Sequence, residues 1–331
     1  MHLLVIGGTV FLGRHIVLEA LASGHKVTTL NRGTHVLPEQ ENVEKLIDDR
    51  EKDLDILAGR KFDAVIDVCG YKPEVVAQSA EILKNAVETY LFVSTISVYG
   101  SFEKIGLNES DPIKHTTLKK PGDYGTFKAD CEKVLQEIVP EKALIVRPGL
   151  IVGPFDPTDR FTYWPARIAR GGKVVAPGKP DAAMQFIDVR DLARWLIELT
   201  ENGERGIYNA TGPRQRLTLG EFLESSNRAL NGNCEFIWLD DEILENEKVQ
   251  SFADLPFWIP ASSAEYAGFQ QIDCSKAFNA GLKFRPLEQT VRDTLAWHHE
   301  HRSDRSDRSK TKPLAVGISP ERERELIEKY H

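Results

Sequence analysis

The sequence predicts an α/β protein, a doubly wound parallel sheet with a smaller, discontinuous C-terminal lobe. Two observations carry this prediction. Through the first half of the chain, short apolar runs alternate with segments of helical periodicity, which implies βαβ units with right-handed crossovers. From Pro148 onwards prolines interrupt residues 153–181 and the regular alternation ends. A second, differently built lobe is therefore expected after the sheet.

Each element has a local signal. Residues 14–22 carry apolar side chains at helical spacing and end in Ser23-Gly24, a helix C-terminal signal. A further helix opening at Phe186 and a strand at 206–210 are expected to return to the sheet. The other predicted strands are 3–6, 26–30, 43–47, 64–68, 90–93 and 143–146, and the other predicted helices are 50–58, 73–85 and 124–138.

These elements imply three parts of the chain. We assign residues 1–151 and 182–211 to the sheet domain, 152–181 and 212–300 to the second, substrate-binding lobe, and 301–331 to a charged tail. The tail repeats Arg, Ser and Asp over residues 302–309, so it is expected to be a solvated appendage, with docking on a partner subunit as the alternative. Ser319-Pro320 predicts the start of a short helix within it.

Bulk properties narrow the function classes. A net charge of −8 over 331 residues disfavours nucleic acid and anionic membranes as partners. No run approaches the roughly 18 apolar residues of a membrane span, and the N-terminus does not read as a signal peptide. The 4 cysteines are widely spaced, as in proteins of a reducing compartment. We therefore expect a cytoplasmic protein that acts on a small molecule.

A glycine-rich turn follows the first apolar run. Residues 7–13 read Gly-Gly-Thr-Val-Phe-Leu-Gly between a predicted strand and a predicted helix. Such a turn places backbone N–H groups and the positive helix end against a pyrophosphate, so it predicts a Rossmann-type dinucleotide site. Val10 occupies the place of a central glycine, and its Cβ must point away from the phosphates. The candidate cofactor contacts in this turn are Gly7, Thr9, Phe11, Leu12 and Gly13.

Residues after the next strands bear on the choice of cofactor. Strand two ends in Asn31-Arg32, where an acidic residue would select NAD by binding the ribose 2′-hydroxyl. Arg32 instead offers a guanidinium to a 2′-phosphate, so NADP is predicted, with NAD possible. Asp49 and Arg50 are placed to meet the adenine, and Cys69-Gly70 to pass close to the cofactor.

Three further residues suggest hydride chemistry. Tyr124 and Lys128 are four residues apart on one predicted helix face, and Thr95 follows a predicted strand. A nearby ammonium is expected to lower the pKa of the phenol from about 10 towards neutrality. The phenol could then exchange a proton with a substrate oxygen while hydride moves to or from a nicotinamide. Thr95, Tyr124 and Lys128 are the candidate catalytic residues, and the latter two are also candidate cofactor contacts.

The chain resembles an extended short-chain dehydrogenase/reductase of the NAD-dependent epimerase/dehydratase family, over about residues 1–300. The resemblance rests on the glycine turn, Thr95–Gly100, Tyr124–Lys128, Arg147-Pro148-Gly149 with Gly153-Pro154, and Phe186–Ala193. It implies a Rossmann domain, a smaller substrate lobe and often a homodimer. It also implies the catalytic roles of Thr95, in place of the usual Ser, and of Tyr124 and Lys128.

Departures from the family pattern bear on the substrate. Met184 stands where similar nucleotide-sugar epimerases carry a pyrophosphate-binding Arg, unless Arg160, Arg167 or Arg214 substitutes. Ile96-Ser97 replaces the Asp-Glu pair of sugar dehydratases. We therefore expect an NAD(P)-dependent oxidoreductase acting on a carbonyl or alcohol. The alternatives are an epimerase with tightly bound NAD, or a non-catalytic relative of chloroplast stem-loop RNA-binding proteins.

A histidine cluster, Trp297-His298-His299-Glu300-His301, invites a metal-site interpretation. No second cluster in the sequence completes a ligand set, so a polar helix end is the better interpretation and no metal is expected.

Overall fold

A seven-stranded parallel sheet organises the chain. The computed structural model describes residues 1–35, 42–115, 123–301 and 316–331. The strands of this sheet are β1 (His2–Ile6), β2 (Lys26–Asn31), β3 (Glu44–Ile47), β4 (Ala64–Asp67), β5 (Thr89–Val93), β6 (Ala143–Pro148) and β10 (Gly206–Ala210). Their order is β10-β6-β5-β4-β1-β2-β3, and every pairing is parallel. The predicted doubly wound sheet is confirmed.

Helices cover both faces of this sheet. They are α1 (Phe11–Ala22), α2 (Pro73–Leu83), α3 (Tyr124–Ile138) and α5 (Val189–Glu201). Alternate residues of β1 belong to different cores: Leu3 and Val5 pack with α1 and α5, whereas Leu4 and Ile6 pack with α2 and α3. Because successive strand residues point to opposite faces, a strand covered on both sides must be apolar throughout, as these runs are.

The rest of the chain builds what we call the small-sheet region, residues 151–188, 212–300 and 316–331. Its strands are β7 (Ile151–Val152), β8 (Gly172–Pro177), β9 (Ala183–Asp188), β11 (Gly212–Thr218) and β12 (Cys234–Leu239), which form the sheets β11-β9-β7 and β12-β8. Its helices are α4 (Tyr163–Ile168), α6 (Leu219–Ala229), α7 (Asp241–Asn246), α8 (Ser275–Asn279), α9 (Leu287–Glu300) and α10 (Pro320–Tyr330). The predicted domain boundaries remain a prediction.

Two predicted helices differ from the structure. Residues 50–58 form only a short 3-10 turn at Asp55–Leu57, because the exposed run Glu51–Asp53 supplies no apolar face and burial is limited to Leu54 and Leu57. The helix expected to open at Phe186 begins at Val189, since Phe186–Asp188 complete β9 and the Asp188 side chain caps α5 by accepting from the Arg190 N–H. Strand β10 does return to the large sheet, as predicted.

The tail differs most from expectation. The charged run 302–309 lies outside the described residues, but the helix predicted at Ser319-Pro320 is present as α10. This helix is not a solvated appendage, because it docks on the small-sheet region of its own chain. Leu326 is fully buried, and Glu323 forms a buried ion pair with Arg167 at 2.6 Å. A short amphipathic segment can dock in this way once a complementary surface exists, which composition alone does not indicate.

None of the helices in the described ranges combines the length and the apolar character needed to cross a bilayer.

Candidate functional site

A cavity of about 530 Å³ opens at the carboxyl ends of the large sheet's strands. This is the edge at which open α/β sheets bind ligands, because the loops after successive parallel strands meet there. The cavity brings together the candidate residues Gly7, Thr9, Phe11, Leu12, Gly13, Asn31, Arg32, Asp49, Arg50, Cys69, Thr95, Tyr124 and Lys128. Gly70 is the candidate that does not line it.

The glycine turn is shaped for close approach of a ligand. Gly7 has a φ of +94°, which only glycine adopts readily, and a Cβ there would lie 2.9 Å from the Cys69 Sγ. A Cβ on Gly13 would collide with the Gly7 carbonyl, so α1 can start this close to β1 only with glycine at that position. Val10 has an extended backbone (φ −128°, ψ 145°) and is 46 % exposed, so it replaces a glycine without backbone strain.

Arg32 lies on the cavity wall with its side chain exposed to solvent. The preceding residue shapes this turn, because the Asn31 Oδ1 accepts from the Gly33 N–H at 2.9 Å. Two carboxylates after β3, Asp48 and Asp49, line the same end of the cavity. This end therefore offers one guanidinium and carboxylate oxygens to a polar ligand group.

Arg50 lines the cavity, but its charge is paired with a carboxylate of the protein. Its guanidinium makes two hydrogen bonds to the Asp67 carboxylate, at 2.7 and 2.8 Å, and a third to the Ser79 hydroxyl at 3.0 Å. Burial acts to raise the pKa of Asp67, but the charge and hydrogen bonds of Arg50, together with Lys128 and the Cys69 N–H, outweigh it and the net shift is downward. Arg50 thus anchors the ends of β3 and β4, and its charge is neutralised before any ligand arrives.

The proposed chemical groups are carried by two facing turns. Thr95 caps the short turn Ile96–Val98, with its Oγ1 accepting from the Ser97 N–H at 3.1 Å. Tyr124 is the first residue of α3, whose N-terminus is capped by Asp123. A Cβ on Gly125 would collide with the Ser97 carbonyl, so glycine lets α3 contact the Thr95 turn directly. This contact brings Thr95 and Tyr124 within hydrogen-bonding reach of each other.

Lys128 lies beneath this pair and is 2 % exposed. Its Nζ donates to the backbone carbonyls of Gly70, at 2.9 Å, and Val93, at 2.6 Å. Burial lowers the pKa of Lys128 to about 8. Gly70 therefore serves the site through its carbonyl, and a Cβ there would lie 2.7 Å from the Phe92 ring.

The predicted lowering of the Tyr124 pKa is wrong for the free protein. Burial raises the pKa of this phenol above its usual value, and the hydrogen bond with Thr95 opposes that shift only in part. Lys128 is not among the causes of this pKa shift, and its Nζ donates to two backbone carbonyls rather than to the phenol. Sequence spacing placed the two residues on one face but could not indicate which partners Lys128 would meet.

Sequence reasoning did not identify Tyr71, which lines the same cavity and is 55 % exposed. Its ring centroid lies 6.4 Å from that of Tyr124. A usable signal was present, since Tyr71 sits between a buried strand and Lys72-Pro73, the start of a helix. Residues at that position lie at the ligand-binding edge of a parallel sheet.

A buried ion pair also escaped sequence reasoning. Glu132, on α3 one turn after Lys128, accepts from Arg147 of β6 at 2.7 Å and from the Ser94 hydroxyl at 2.5 Å. Ser94 directly precedes Thr95, so this pair ties the helix that carries Tyr124 to the strand end that carries Thr95. Removing one partner of such a buried pair leaves an uncompensated charge, which is costly. The pair therefore fixes the position of α3 relative to the strand end.

A second cavity, of about 340 Å³, lies in the small-sheet region. Met184 lines it and is buried, at the position where a phosphate-binding Arg would be needed. Among the described residues on its wall, Lys179 is the single cation, beside Asp181 and Asp241. None of the substitute arginines lines either cavity: Arg167 is paired with Glu323, Arg214 is exposed near Phe278, and Arg160 is half-buried elsewhere.

In the described ranges, aromatic side chains and candidate metal ligands outside the large cavity have structural roles or no grouping. Phe161 and Trp164 are fully buried core residues, and Phe257 and Trp258 are both core and wall of the second cavity. In the part of the chain that the structure describes, no three His, Cys, Asp or Glu side chains are grouped to hold a metal ion.

Known proteins give a consistent picture of the family. The UDP-glucose 4-epimerase of Neisseria meningitidis serogroup A is 31 % identical over 166 residues, covering 41 % of this chain and 48 % of that protein. The chloroplast stem-loop binding protein of 41 kDa b from Arabidopsis thaliana is 26 % identical over 232 residues, covering 64 % of this chain and 59 % of that protein. The chain thus spans about half the length of these curated relatives.

Solved structures share the fold at low identity. The UDP-glucose 4-epimerase of Bifidobacterium longum in complex with NAD⁺ and UDP has a TM-score of 0.62 at 19 % identity, covering 91 % of this chain and 99 % of that one. That of Thermotoga maritima with UDP-glucose has a TM-score of 0.65 at 17 % identity, covering 91 % and 100 %. Residues 3–211 match the NAD dependent epimerase/dehydratase family, and the chain belongs to that family.

Proposed function

We propose that this protein is an NAD(P)-dependent oxidoreductase that interconverts a carbonyl and an alcohol on a small molecule. One observation carries the proposal: Thr95, Tyr124 and Lys128 line the same cavity as the glycine turn. The cradle formed by Gly7 and Gly13 suits a pyrophosphate, because a Cβ at either position would meet neighbouring atoms at the turn. The dinucleotide supplies or accepts hydride when bound.

Side chains of the protein supply the proton that the reaction needs. The Tyr124 hydroxyl is positioned to donate to the oxygen of a carbonyl substrate, and Thr95 to hold the same oxygen. Tyr124 is half-exposed at the cavity, so a substrate can reach it. Lys128 fixes the Gly70 and Val93 carbonyls beneath the site.

We propose NADP as the preferred cofactor. Arg32 is exposed on the cavity wall at the end of β2, where its guanidinium can make bidentate hydrogen bonds to a 2′-phosphate. Asn31, which precedes it, carries no negative charge to repel a phosphate. Similar structures were solved with NAD, so the preference is argued from Arg32 alone.

A nucleotide-sugar 4-epimerase with tightly bound NAD is the second candidate. The curated UDP-glucose 4-epimerase relatives favour it. The described wall of the second cavity argues against it, since Lys179 shares that wall with Asp181 and Asp241 and Met184 offers no charge to a diphosphate. A non-catalytic, nucleic-acid-binding role, suggested by the stem-loop binding relative, is disfavoured by the net charge of −8 and by the retained chemical groups.

We further propose that the protein works in the cytoplasm and that homodimerisation is compatible with this function. The support is limited to composition: the described cysteines are free thiols, as in a reducing compartment.

Titration with dinucleotides tests the function. The purified protein is first assayed for bound cofactor, and the cofactor-free protein is then titrated with NADPH and NADH by fluorescence. We expect tighter binding of NADPH, and Arg32→Ala to weaken NADPH about tenfold or more while changing NADH little. Arg228→Ala, an exposed arginine on α6, is the matched control and should change neither. NAD retained through purification, together with turnover of UDP-glucose, would instead establish the epimerase.

A further inference from the structure

The reaction end of the large cavity has an apolar rim. Tyr71 and Tyr124 line it and are 55 % and 53 % exposed. Large apolar side chains that stay exposed at a single concave site indicate a surface that becomes covered when a ligand binds. Tyr124 is needed for proton transfer under the proposed function, but that function assigns nothing to Tyr71.

Tyr71 is held rigidly beside Tyr124. It lies between β4 and α2, where the Gly70 carbonyl before it is bound by the Lys128 Nζ and Pro73 begins the helix after it. The Lys128 Nζ also lies 5.4 Å from the Tyr71 ring centroid, within cation–π range. A fixed aromatic ring loses little conformational freedom on binding, so it contacts a ligand at small entropic cost.

The two tyrosine rings contact each other at the wall of the cavity. Their ring centroids are 6.4 Å apart and their planes are inclined by 42°. A substrate oxygen bonded to the Tyr124 hydroxyl brings the group attached to its carbonyl carbon towards Tyr71. Aromatic rings attract each other at centroid distances of about 4.5–7 Å, so a ligand ring beside Tyr124 can pack on the exposed part of Tyr71 but not between the two tyrosines.

The charges around this rim do not favour an anionic group. Lys72 is paired with Glu51 at 2.6 Å, and Lys114 with Asp123 at 3.0 Å. Lys128 is buried and bound to carbonyls. Arg32 follows β2, two strands from β4, which is about 10 Å away across the sheet.

We propose that Tyr71 is the substrate-contacting, specificity-determining residue of this site, and that the substrate carries an uncharged aromatic group next to its carbonyl. The inference rests on the proposed function and deepens it by naming the substrate class. Tyr71 packs against the aromatic group while Tyr124 and Thr95 hold the oxygen. Burial and the neighbouring Tyr124 raise the pKa of Tyr71, so its phenol stays neutral.

Paired aldehydes test the inference. Reduction of benzaldehyde and of pentanal is followed by NADPH consumption in the wild type and in three variants. In Tyr71→Ala the ratio of kcat/KM for benzaldehyde to that for pentanal should fall about tenfold, mainly through a higher KM for benzaldehyde. Tyr71→Phe keeps the ring and should keep the ratio. Phe127→Ala is the matched control, because Phe127 is 42 % exposed one turn along α3 but does not line the cavity.

The outcomes separate this inference from the proposed function. An unchanged kcat/KM ratio in Tyr71→Ala overturns the inference. A lower ratio that is matched by an equal weakening of NADPH binding also overturns it, because Tyr71 would then be a cofactor contact. If the wild type reduces neither aldehyde, the reductase proposal fails for this substrate class. Binding of benzyl alcohol to the NADP⁺-saturated protein, measured by saturation-transfer NMR, then decides. If benzyl alcohol binds the wild type but not Tyr71→Ala, the aromatic site is supported. If benzyl alcohol does not bind the wild type, the inference is overturned.

Discussion

The large sheet and the small-sheet region build their cavities in different ways. Around the large cavity, the candidate residues lie in the turns after strands or on the helices that face those turns, and the parallel register of the sheet aligns the strand ends. Around the second cavity, the wall depends on contacts between residues far apart in sequence, such as Ala182 with Leu219 and Asp241 with Trp258. Backbone pairing positions the chemistry, whereas side-chain packing shapes the smaller cavity.

This difference has a functional reading. A hydride-transfer site must hold its groups to within a fraction of an ångström, and a buried sheet edge provides that rigidity. The small-sheet region is closed by α10, which buries Leu326 and Glu323 against α4 and β8. We therefore expect changes in the first region to affect chemistry and changes in the second to affect stability, and four predictions test that division.

The largest expected effect is on chemistry. Tyr124→Phe should reduce kcat about 10²- to 10⁴-fold, because it removes the proton donor. Cofactor affinity and the free energy of unfolding should change little, since Tyr124 is half-exposed. Steady-state kinetics, fluorescence titration and urea unfolding measure the three quantities. Tyr330→Phe removes a hydroxyl from α10 and should leave turnover unchanged; wild-type turnover in Tyr124→Phe would mean that another group moves the proton.

The second effect is on the stability of the small-sheet region. Glu323→Ala should lower the free energy of unfolding by about 3 kcal/mol or more, because it leaves the Arg167 guanidinium buried without its partner. Urea unfolding followed by tryptophan fluorescence reports on this region through Trp164 and Trp258. NADPH affinity should persist while the protein is folded.

A matched variant on the same surface separates burial from charge. Glu247→Ala removes an acid that is paired with Arg322 and Lys329 at the exposed side of α10. The free energy of unfolding should fall much less in Glu247→Ala than in Glu323→Ala, because solvent screens exposed ion pairs. Equal losses in the two variants would show that burial of Glu323 does not matter.

The third prediction concerns the pKa of the Tyr124 phenol. In the cofactor-free protein the Tyr124 phenol should ionise above pH 10, since burial raises its pKa. The phenolate fraction then falls tenfold for each pH unit below the pKa, so the phenol is a proton donor at neutral pH. The absorbance of phenolate, in the wild type minus Tyr124→Phe, measures it. Ionisation near neutrality would restore the role in which Lys128 lowers the pKa of Tyr124.

The smallest effect concerns the start of α3. Asp123→Ala should destabilise the protein by about 1 kcal/mol, because it removes the side-chain cap accepted from the Thr126 N–H. Hydrogen bonds to Thr126 hold the pKa of Asp123 down at about 2 against the burial that would raise it. The carboxylate's contribution is therefore present above about pH 4 and is lost as the pH falls towards 2.

Asp123→Asn is the control, since asparagine caps equally well. Denaturant unfolding at pH 7 and at pH 2 compares the three proteins. At pH 2 the wild type should lose part of its advantage over Asp123→Ala, whereas Asp123→Asn should keep its own; a wild type that keeps its full advantage over Asp123→Ala would contradict the assigned cause.

Much of the large sheet was predictable from the sequence. Its strands are short apolar runs and its turns carry glycine, so local pattern and backbone geometry agree. Gly7, Gly13, Thr95, Tyr124 and Lys128 were found because each stands at a strand end or on a helix face with a characteristic spacing. These signals are local, and the parallel register then brings them to one cavity.

Tertiary structure alone decided the rest. The partners of Lys128, the Glu132–Arg147 pair and the docking of α10 join residues whose separation in sequence carries no pattern. Exposure of Tyr71 beside Tyr124 depends in the same way on how β4 and α3 meet. The sequence by itself determined the fold class and the candidate chemistry, because both depend on local periodicity. Only packing determined the pKa values of Tyr124 and Lys128, the exposure of Tyr71 and the second cavity. Burial and charge pairing arise when distant segments come together.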